Sequence, residues 1–401
     1  MNKKKFLLDF VLNLLATSIP LFILQFICLP YVNKIFGEQE YGLVVTYISL
    51  FSLISHSFGN SLNNARLISR NKYEECNYSL GDFNLLLRYG ITLNIIFIMF
   101  SNFLFNNKIS IKLLIALLII SNVNMLREYL IVYYRLIINY KKILLNNIIL
   151  SIGITVGFGV FIYTKYWVMI YLIGYLAAYI HLIYDTKYFK EGSKRSKEYL
   201  NTKKKYNNLI IACFLASLPN YIDKIMLYPL LGGTAVSIYY ASSIFGKIIA
   251  KFVGPINSVV LSYVSKMKSI KSKDFYLLIG SMLTISIIGF FISIIISKYL
   301  LKILYPSIYI DANKYIIIVT LTAIMSMISS IINPFIMHFM NIKYQVYLNI
   351  VNSFIYIIFG YVGYKIYGLA GFCLGLSINN IIKVIIYIYL MKKNILSNNT
   401  N

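Results

Sequence analysis

Two lysines lie one helical turn apart inside an apolar segment, where charged side chains are costly. Lys247 and Lys251 fall within residues 235–262, and side chains four residues apart project from the same face of a helix. Their like charges repel at this spacing, and an anion between them would relieve the repulsion. Lysine binds phosphate as a point charge, so the pair predicts a diphosphate site. The alternative is that Lys251 snorkels to the interface while Lys247 pairs with an acid on another helix.

A second charged group falls within another apolar segment, residues 111–135. Arg127 and Glu128 lie too deep in this segment for simple snorkelling. Two interpretations remain open: anion capture by Arg127 with Glu128 balancing the charge, and a plain ion pair within the membrane. Arg88, in the preceding apolar segment, is predicted either to make the first phosphate contact at the cytoplasmic mouth or to mark topology.

Asp223 and Lys224 form a third group, just after Pro219. Adjacent residues on a helix point about 100° apart, so the two side chains are not expected to face the same line of a lumen. We expect one of them to reach a partner in the other half of the chain. The favoured role is a structural or gating ion pair.

The elements that carry these side chains are predicted to be transmembrane helices. Of the 401 residues, 59% are hydrophobic and 13% are charged, and the mean hydropathy is +0.72. Soluble domains have about 25% charged residues, and a spanning helix needs about 20 apolar residues. The sequence therefore predicts an all-α integral membrane protein with about 12 transmembrane helices. They are placed at about 8–31, 41–62, 83–105, 111–135, 143–164, 166–184, 207–230, 235–262, 275–298, 314–338, 344–364 and 368–391.

Lysines and arginines are distributed unevenly between the two sides of this arrangement. An even number of spans places both termini on one side, whose segments hold 23 Lys and Arg against 8 on the other. The positive-inside rule makes that side cytoplasmic. The net charge of +25 therefore marks topology. It does not indicate nucleic acid as a partner, because nucleic-acid binders gather their basic residues on one face of a folded domain.

A polar stretch at residues 185–208 divides the predicted helices into six and six. It carries eight basic and three acidic residues, which is typical of a cytoplasmic linker beside anionic lipid headgroups. The predicted domains are an N-terminal lobe at 1–184, this basic linker, and a C-terminal lobe at 209–401.

The two halves also share a short pattern. The segment from Gly37 to Gly42 follows the first predicted helix, and the segment from Gly232 to Ser237 follows the seventh at an offset of 195 residues. A parallel repeat of six helices is one organisation found in secondary transporters.

The chain resembles the polysaccharide flippases of the multidrug/oligosaccharidyl-lipid/polysaccharide exporter superfamily. The similar segments run through the chain in the family's order: Pro30-Tyr-Val-Asn-Lys-Ile-Phe-Gly37-Glu-Gln-Glu-Tyr-Gly42-Leu, Asp223-Lys224-Ile-Met-Leu-Tyr-Pro-Leu-Leu-Gly232 with Ile238-Tyr-Tyr-Ala241, Leu304-Tyr-Pro-Ser-Ile-Tyr-Ile-Asp311-Ala, and Tyr367-Gly368-Leu-Ala-Gly371. Glu38, Gln39 and Ser237 depart from the family pattern, all at positions that affect turn geometry.

This resemblance implies a transporter and not an enzyme. Two six-helix lobes would surround a central cavity that opens to one side at a time. The cargo would be an undecaprenyl-diphosphate-linked oligosaccharide, moved from the cytoplasmic to the outer leaflet of the bacterial inner membrane for O-antigen or capsule synthesis. The expected partners are this lipid-linked sugar, membrane lipid, and a polysaccharide polymerase with its chain-length regulator. No cofactor is expected, and coupling to protons or sodium is left open.

Two other functions remain as alternatives. A membrane polymerase or ligase of lipid-linked sugars would have a similar helix count, but such enzymes carry a large outward loop, and the longest outward loop here is short. An exporter of cationic drugs would need lone carboxylates in its lumen, whereas the predicted helices are mainly basic. His56, His181 and His338 share no spacing and are interpreted as packing or interface residues and not as a proton relay.

Overall fold

The structure is a computed structural model that describes the backbone of residues 3–104, 109–264, 272–339 and 342–399. Side chains are described within 11–102, 109–246, 279–336 and 347–392, and at residues 248 and 277. The side chains of Lys247, Lys251 and His338 therefore lie outside the described residues.

Helices make up nearly all of the described chain, and no strand occurs in these ranges. A π-helical turn, Ile23–Cys28, joins the first two helices, and a 3-10 turn, Tyr188–Glu191, follows the seventh. The helices are α1 (Lys3–Phe22), α2 (Leu29–Glu75), α3 (Gly81–Leu104), α4 (Ile111–Leu130), α5 (Val132–Leu136), α6 (Tyr140–Thr164), α7 (Val168–Thr186), α8 (Tyr199–Val264), α9 (Ser272–Leu304), α10 (Tyr309–Asn313), α11 (Ile316–Phe339) and α12 (Ile342–Asn399).

Three of the long helices are broken by a glycine. The backbone leaves helical geometry at Gly37 in α2, Gly232 in α8 and Gly368 in α12, each with a positive φ. Gly37 has φ 73° and ψ 176°, and Gly232 has φ 80° and ψ −179°. Glycine adopts this conformation readily because it has no Cβ. The two echoing segments of the sequence thus have the same backbone conformation at equivalent positions.

Nine helical segments among the described residues are long and apolar enough to cross a membrane. Val11–Glu75, Tyr199–Gly246 and Tyr347–Lys392 are long enough for two crossings, and each contains one of the glycine breaks. Because the backbone of α8 continues to Val264, separating these three helices at the breaks gives twelve segments of spanning length in the described backbone. The prediction of an all-α membrane protein with about 12 transmembrane helices is therefore confirmed.

The chain forms two compact units, which we call unit 1 and unit 2. Unit 1 contains the residues up to Val32 together with Thr46–Tyr221. Its interior is built on α6 and α7, against which α1 and α4 pack. Aromatic rings fill this core: Phe51 meets Tyr171 with ring centroids 5.4 Å apart.

Unit 2 contains Asn33–Val45 together with the residues from Ile222 onward. Here α11 packs on α12 and α9, with Ile328 of α11 and Tyr387 of α12 in one buried apolar cluster. The Asn33–Val45 segment is held by a hydrogen bond of 2.9 Å between the hydroxyls of Tyr41 and Tyr305.

The two echoing segments cross each other within unit 2. A Cβ built on Gly42 would lie 1.8 Å from the carbonyl oxygen of Gly233, and one built on Gly233 would lie 2.0 Å from that of Gln39. The Ser237 hydroxyl donates a hydrogen bond to the Glu38 carbonyl. The backbones are therefore in direct contact, and only glycine permits this approach at positions 42 and 233.

Candidate functional site

A buried polar cluster surrounds Arg127 and Glu128 in unit 1. Arg127 donates a hydrogen bond of 2.6 Å to Asn147 Oδ1 on α6 and one of 3.3 Å to Glu128 Oε1. The second carboxylate oxygen of Glu128 lies 3.8 Å from His56 Nδ1 on α2. The two predicted residues thus lie together and contact each other, with partners from two further helices.

Arg135 extends this cluster by about two turns along the chain. Its guanidinium donates hydrogen bonds of 2.8 Å to Asn63 Oδ1 and 3.3 Å to Asn64 Oδ1. Asn63 in turn donates a hydrogen bond of 2.9 Å to the backbone carbonyl of Glu128. The described cluster therefore holds two guanidinium groups and one carboxylate, joined by amide side chains.

The cluster is buried on one side and open on the other. The side chain of Arg127 is 6% exposed, whereas those of Glu128 and His56 are 25% and 40% exposed. Arg127 Nε is buried and has no hydrogen-bond partner among the described residues. Two guanidinium groups against one carboxylate leave the described cluster with an excess positive charge, which is suited to holding an anionic ligand.

The sequence does not predict that His56 and Asn147 belong to this cluster. His56 is 72 residues from Glu128 and is predicted to be a packing or interface residue, and the structure places it beside the carboxylate. The available signal was the repeated occurrence of asparagine inside apolar segments, since a buried amide requires a hydrogen-bonding partner.

The other predicted anion-binding residues do not join the described cluster. Arg88 is exposed on α3, and none of the described contacts links it to Arg127. Lys247 and Lys251 lie in the described backbone of α8, one turn apart as predicted. Their side chains lie outside the described residues, so a shared anion site there stays a prediction.

A second buried charged group lies in unit 2, at Asp223 and Lys224. Lys224 Nζ lies 2.7 Å from Asp223 Oδ1, and the hydroxyl of Tyr239 donates a hydrogen bond of 2.7 Å to Asp223 Oδ2. The Asp223 side chain is fully buried, and that of Lys224 is 5% exposed. The two side chains contact each other because the flexible lysine stem turns the ammonium back toward its neighbour. A further partner in the other half of the chain stays a prediction.

Solved membrane transporters resemble the whole chain. The lipid II flippase MurJ, in an inward closed conformation, has a TM-score of 0.68 at 19% identity and covers 98% of this chain and 89% of its own. An inward-facing multidrug MATE transporter of the MOP superfamily has a TM-score of 0.65 at 13% identity, over 97% of this chain and 99% of its own. This chain has the MOP transporter fold. A MATE transporter from Vibrio cholerae has a TM-score of 0.66 at 13% identity, over 98% and 97%.

This fold occurs in proteins named for different cargo, lipid II in one case and drugs in the other. No protein-family model matches the sequence, and no curated protein matches it with significance. The fold that the resemblance implies is thus shown, and the superfamily and its polysaccharide-flippase subtype stay predictions. Because the MOP fold does not determine the cargo, the class of cargo has to be inferred from the charged clusters.

Proposed function

We propose that this chain is a flippase for undecaprenyl-diphosphate-linked oligosaccharide repeat units. It would move them from the cytoplasmic to the outer leaflet of the bacterial inner membrane for O-antigen or capsule synthesis. The observation that carries this proposal is the cluster in unit 1, which holds two guanidinium groups, Arg127 and Arg135, and one described carboxylate, Glu128, within one candidate membrane span.

The chemistry of this cluster favours a phosphorylated cargo. A guanidinium presents its donors in a planar fork that matches phosphate oxygens, and a charged group deep in a membrane needs a counter-charge or an aqueous cavity. A diphosphate would supply the counter-charge that one carboxylate cannot. A lumen for cationic drugs would need the opposite balance, with carboxylates in excess.

We assign the residues as follows. Arg127 and Arg135 bind phosphate, Glu128 offsets part of their positive charge, and His56 positions the Glu128 carboxylate. Lys247 and Lys251 form a second phosphate contact on α8, and Arg88 makes the first contact at the cytoplasmic mouth. Asp223 and Lys224 act as a structural or gating ion pair. Alternating access would move residues 1–184 against residues 209–401, with both termini cytoplasmic.

Replacing Lys247 and Lys251 together by alanine should abolish surface polysaccharide while the protein level stays normal. The reason is that the pair supplies two positive charges to one diphosphate. The measurement is surface polysaccharide in a flippase-null strain that carries the variant. Lys298 and Lys302 provide a matched control, because they are also four residues apart and both are exposed. The assignment is wrong if the Lys247/Lys251 variant supports normal polysaccharide.

Cysteine placed at position 56 or 128 should react with water-soluble thiol reagents. The side chains of His56 and Glu128 are 40% and 25% exposed, whereas the neighbouring Ser55 is fully buried. Ser55→Cys is therefore the matched control and should resist the reagent. Protection of His56→Cys and Glu128→Cys from both sides of the membrane would rule out an open site.

Complementation of the same null strain separates the candidate functions. A flippase restores lipid-linked repeat units in the outer leaflet, and inactive variants leave them in the cytoplasmic leaflet. A polymerase would leave the units in the cytoplasmic leaflet of this strain, and deleting the chain from its own host would then accumulate translocated but unpolymerised units. Efflux of cationic dyes without any change in the leaflet distribution would indicate a multidrug exporter.

A further inference from the structure

The basic segment after α7 is folded tightly onto unit 1. Residues 187–198, which we call the strap, include the 3-10 turn Tyr188–Glu191. Arg66 of α2 donates hydrogen bonds of 2.9 and 2.5 Å to the two carboxylate oxygens of Glu191. The same guanidinium donates to the hydroxyls of Tyr129 and Tyr133, each at 2.9 Å. This bidentate, charge-assisted pair of Arg66 and Glu191 fixes the first half of the strap.

A second set of contacts fixes the end of the strap. The carboxylate of Asp82 accepts hydrogen bonds from the Ser196 backbone N–H at 2.8 Å and from the Tyr73 hydroxyl at 2.8 Å. Lys72 Nζ lies 2.7 Å from Glu198 Oε2, and this hydrogen bond lowers the pKa of the Glu198 carboxyl. The strap is therefore attached at both ends by partners that are distant in sequence.

These attachments turn the acidic side chains of the strap toward the protein and leave its basic side chains exposed. Both of its acidic side chains face the protein, since Glu191 is 14% exposed and Glu198 is 6% exposed. All five of its basic residues are exposed: Lys187, Lys190, Lys194, Arg195 and Lys197. The charged side chains that the strap exposes are thus all cationic, although the segment also contains two acidic residues.

Apolar side chains are exposed among these cations. Phe189 is 63% exposed between two exposed strap lysines, and Ile137 and Ile138 are 63% and 61% exposed. All three lie outside the candidate membrane spans. The two isoleucines directly follow α5, whose Tyr133 is held by the same Arg66 that binds the strap. Outside a span, exposed apolar residues flanked by lysine are typical of surfaces that lie at a membrane interface.

We propose that the strap and the Ile137–Ile138 turn form a platform that binds anionic phospholipid headgroups. The five cations contact lipid phosphates, while Phe189, Ile137 and Ile138 enter the boundary between headgroups and acyl chains. Charge alone would equally suit an acidic soluble protein. The exposed phenylalanine and isoleucines favour lipid, because a bilayer surface places anionic phosphates directly beside an apolar boundary. The proposal does not depend on which cargo the protein carries.

Fluorescence from a tryptophan placed in the strap tests this proposal. The single tryptophan, Trp167, is changed to phenylalanine, and Phe189→Trp provides the reporter in the full-length protein. The protein is placed in nanodiscs that contain phosphatidylcholine brominated near the headgroup, with or without phosphatidylglycerol. We expect quenching by the brominated lipid to rise at least about twofold when phosphatidylglycerol is present and to fall again at high salt.

Two matched variants separate the platform from a general effect of charge. Glutamine substitutions at four strap cations should reduce quenching to the level seen without phosphatidylglycerol; the positions are Lys187, Lys190, Lys194 and Arg195. Gln at Lys34, Lys112, Lys298 and Lys302, four exposed lysines outside the strap, should leave it unchanged. The proposal is overturned if quenching does not depend on phosphatidylglycerol. It is also overturned if only a water-soluble quencher reaches the reporter, which would leave the surface to a soluble partner.

Discussion

Alanine at Gly42 or Gly233 should prevent unit 2 from folding. The added Cβ would lie 1.8 or 2.0 Å from a backbone carbonyl oxygen, and no rotamer change relieves a backbone contact. The two segments would have to move apart along their whole crossing. Overpacking usually costs about 1–3 kcal/mol, and we expect a larger loss here because backbone must shift. The measurement is the monodisperse fraction on size exclusion after heating in detergent.

Gly289→Ala is the matched control for these substitutions. It lies in α9 of the same unit, and a Cβ there would meet nothing within 4 Å. Because alanine favours the helix over glycine by about 1 kcal/mol, we expect unchanged or slightly higher thermal stability. A Gly42→Ala variant that melts like the wild type would show that the close crossing is absent in the membrane.

Removing either member of the Asp223–Lys224 pair should destabilise the protein strongly, and removing both should largely restore it. Asp223→Ala removes the carboxylate that lies 2.7 Å from a buried ammonium, since the Lys224 side chain is 5% exposed. Breaking a buried ion pair on one side costs about 3–5 kcal/mol, whereas replacing the pair by apolar residues of similar volume is often neutral. Asp223→Leu with Lys224→Met should therefore fold, as measured by thermal melting in detergent.

An exposed ion pair in the same unit is the control for burial. Lys314 Nζ lies 2.7 Å from Asp311 Oδ1, the same separation as in the buried pair, but the two side chains are 62% and 53% exposed. Asp311→Ala should leave the melting temperature unchanged, because solvent screens exposed pairs. Equal effects of Asp223→Ala and Asp311→Ala would contradict the argument from burial.

Transport by the apolar double variant distinguishes the two roles of Asp223 and Lys224. If the variant folds and still moves lipid-linked units, the pair is structural. If it folds and fails to move them, the charges themselves take part in gating. Neither single substitution gives this information, since an unstable protein is inactive for either reason.

Hydropathy predicted the helices well because a bilayer imposes a strict requirement on each span, about 20 apolar residues with every backbone group bonded inside the segment. The long helices α2 and α8 are broken at Gly37 and Gly232, and both glycines lie between predicted spans. The existence of charged residues within spans was equally visible. These features depend on local composition, which a sequence records directly.

The partners of those charges depend on contacts between distant residues. Arg127 pairs with Asn147 across 20 positions, and His56 meets Glu128 across 72, distances at which helical periodicity carries no information. The strap shows the same limit: its composition is that of a solvated linker, and only the positions of Arg66 and Lys72 reveal that its acids face inward. Helix geometry does not predict the contact between Asp223 and Lys224, because it constrains the directions of the Cβ atoms and not the end of a long, flexible side chain.

The crossing of the two echoing segments has the form of a dimer interface. Adding 195 to residue 42 gives 237, and subtracting 195 from 233 gives 38. The contact between Gly42 and Gly233 is thus the counterpart of the one between Ser237 and Glu38. Such reciprocity, in which residue i meets j while j meets i, defines an isologous two-fold contact between identical subunits. The crossing therefore has, within one chain, the geometry of a contact between two identical subunits. A substitution on one side of this pseudo-dyad meets a residue of the other repeat, as it would at such an interface.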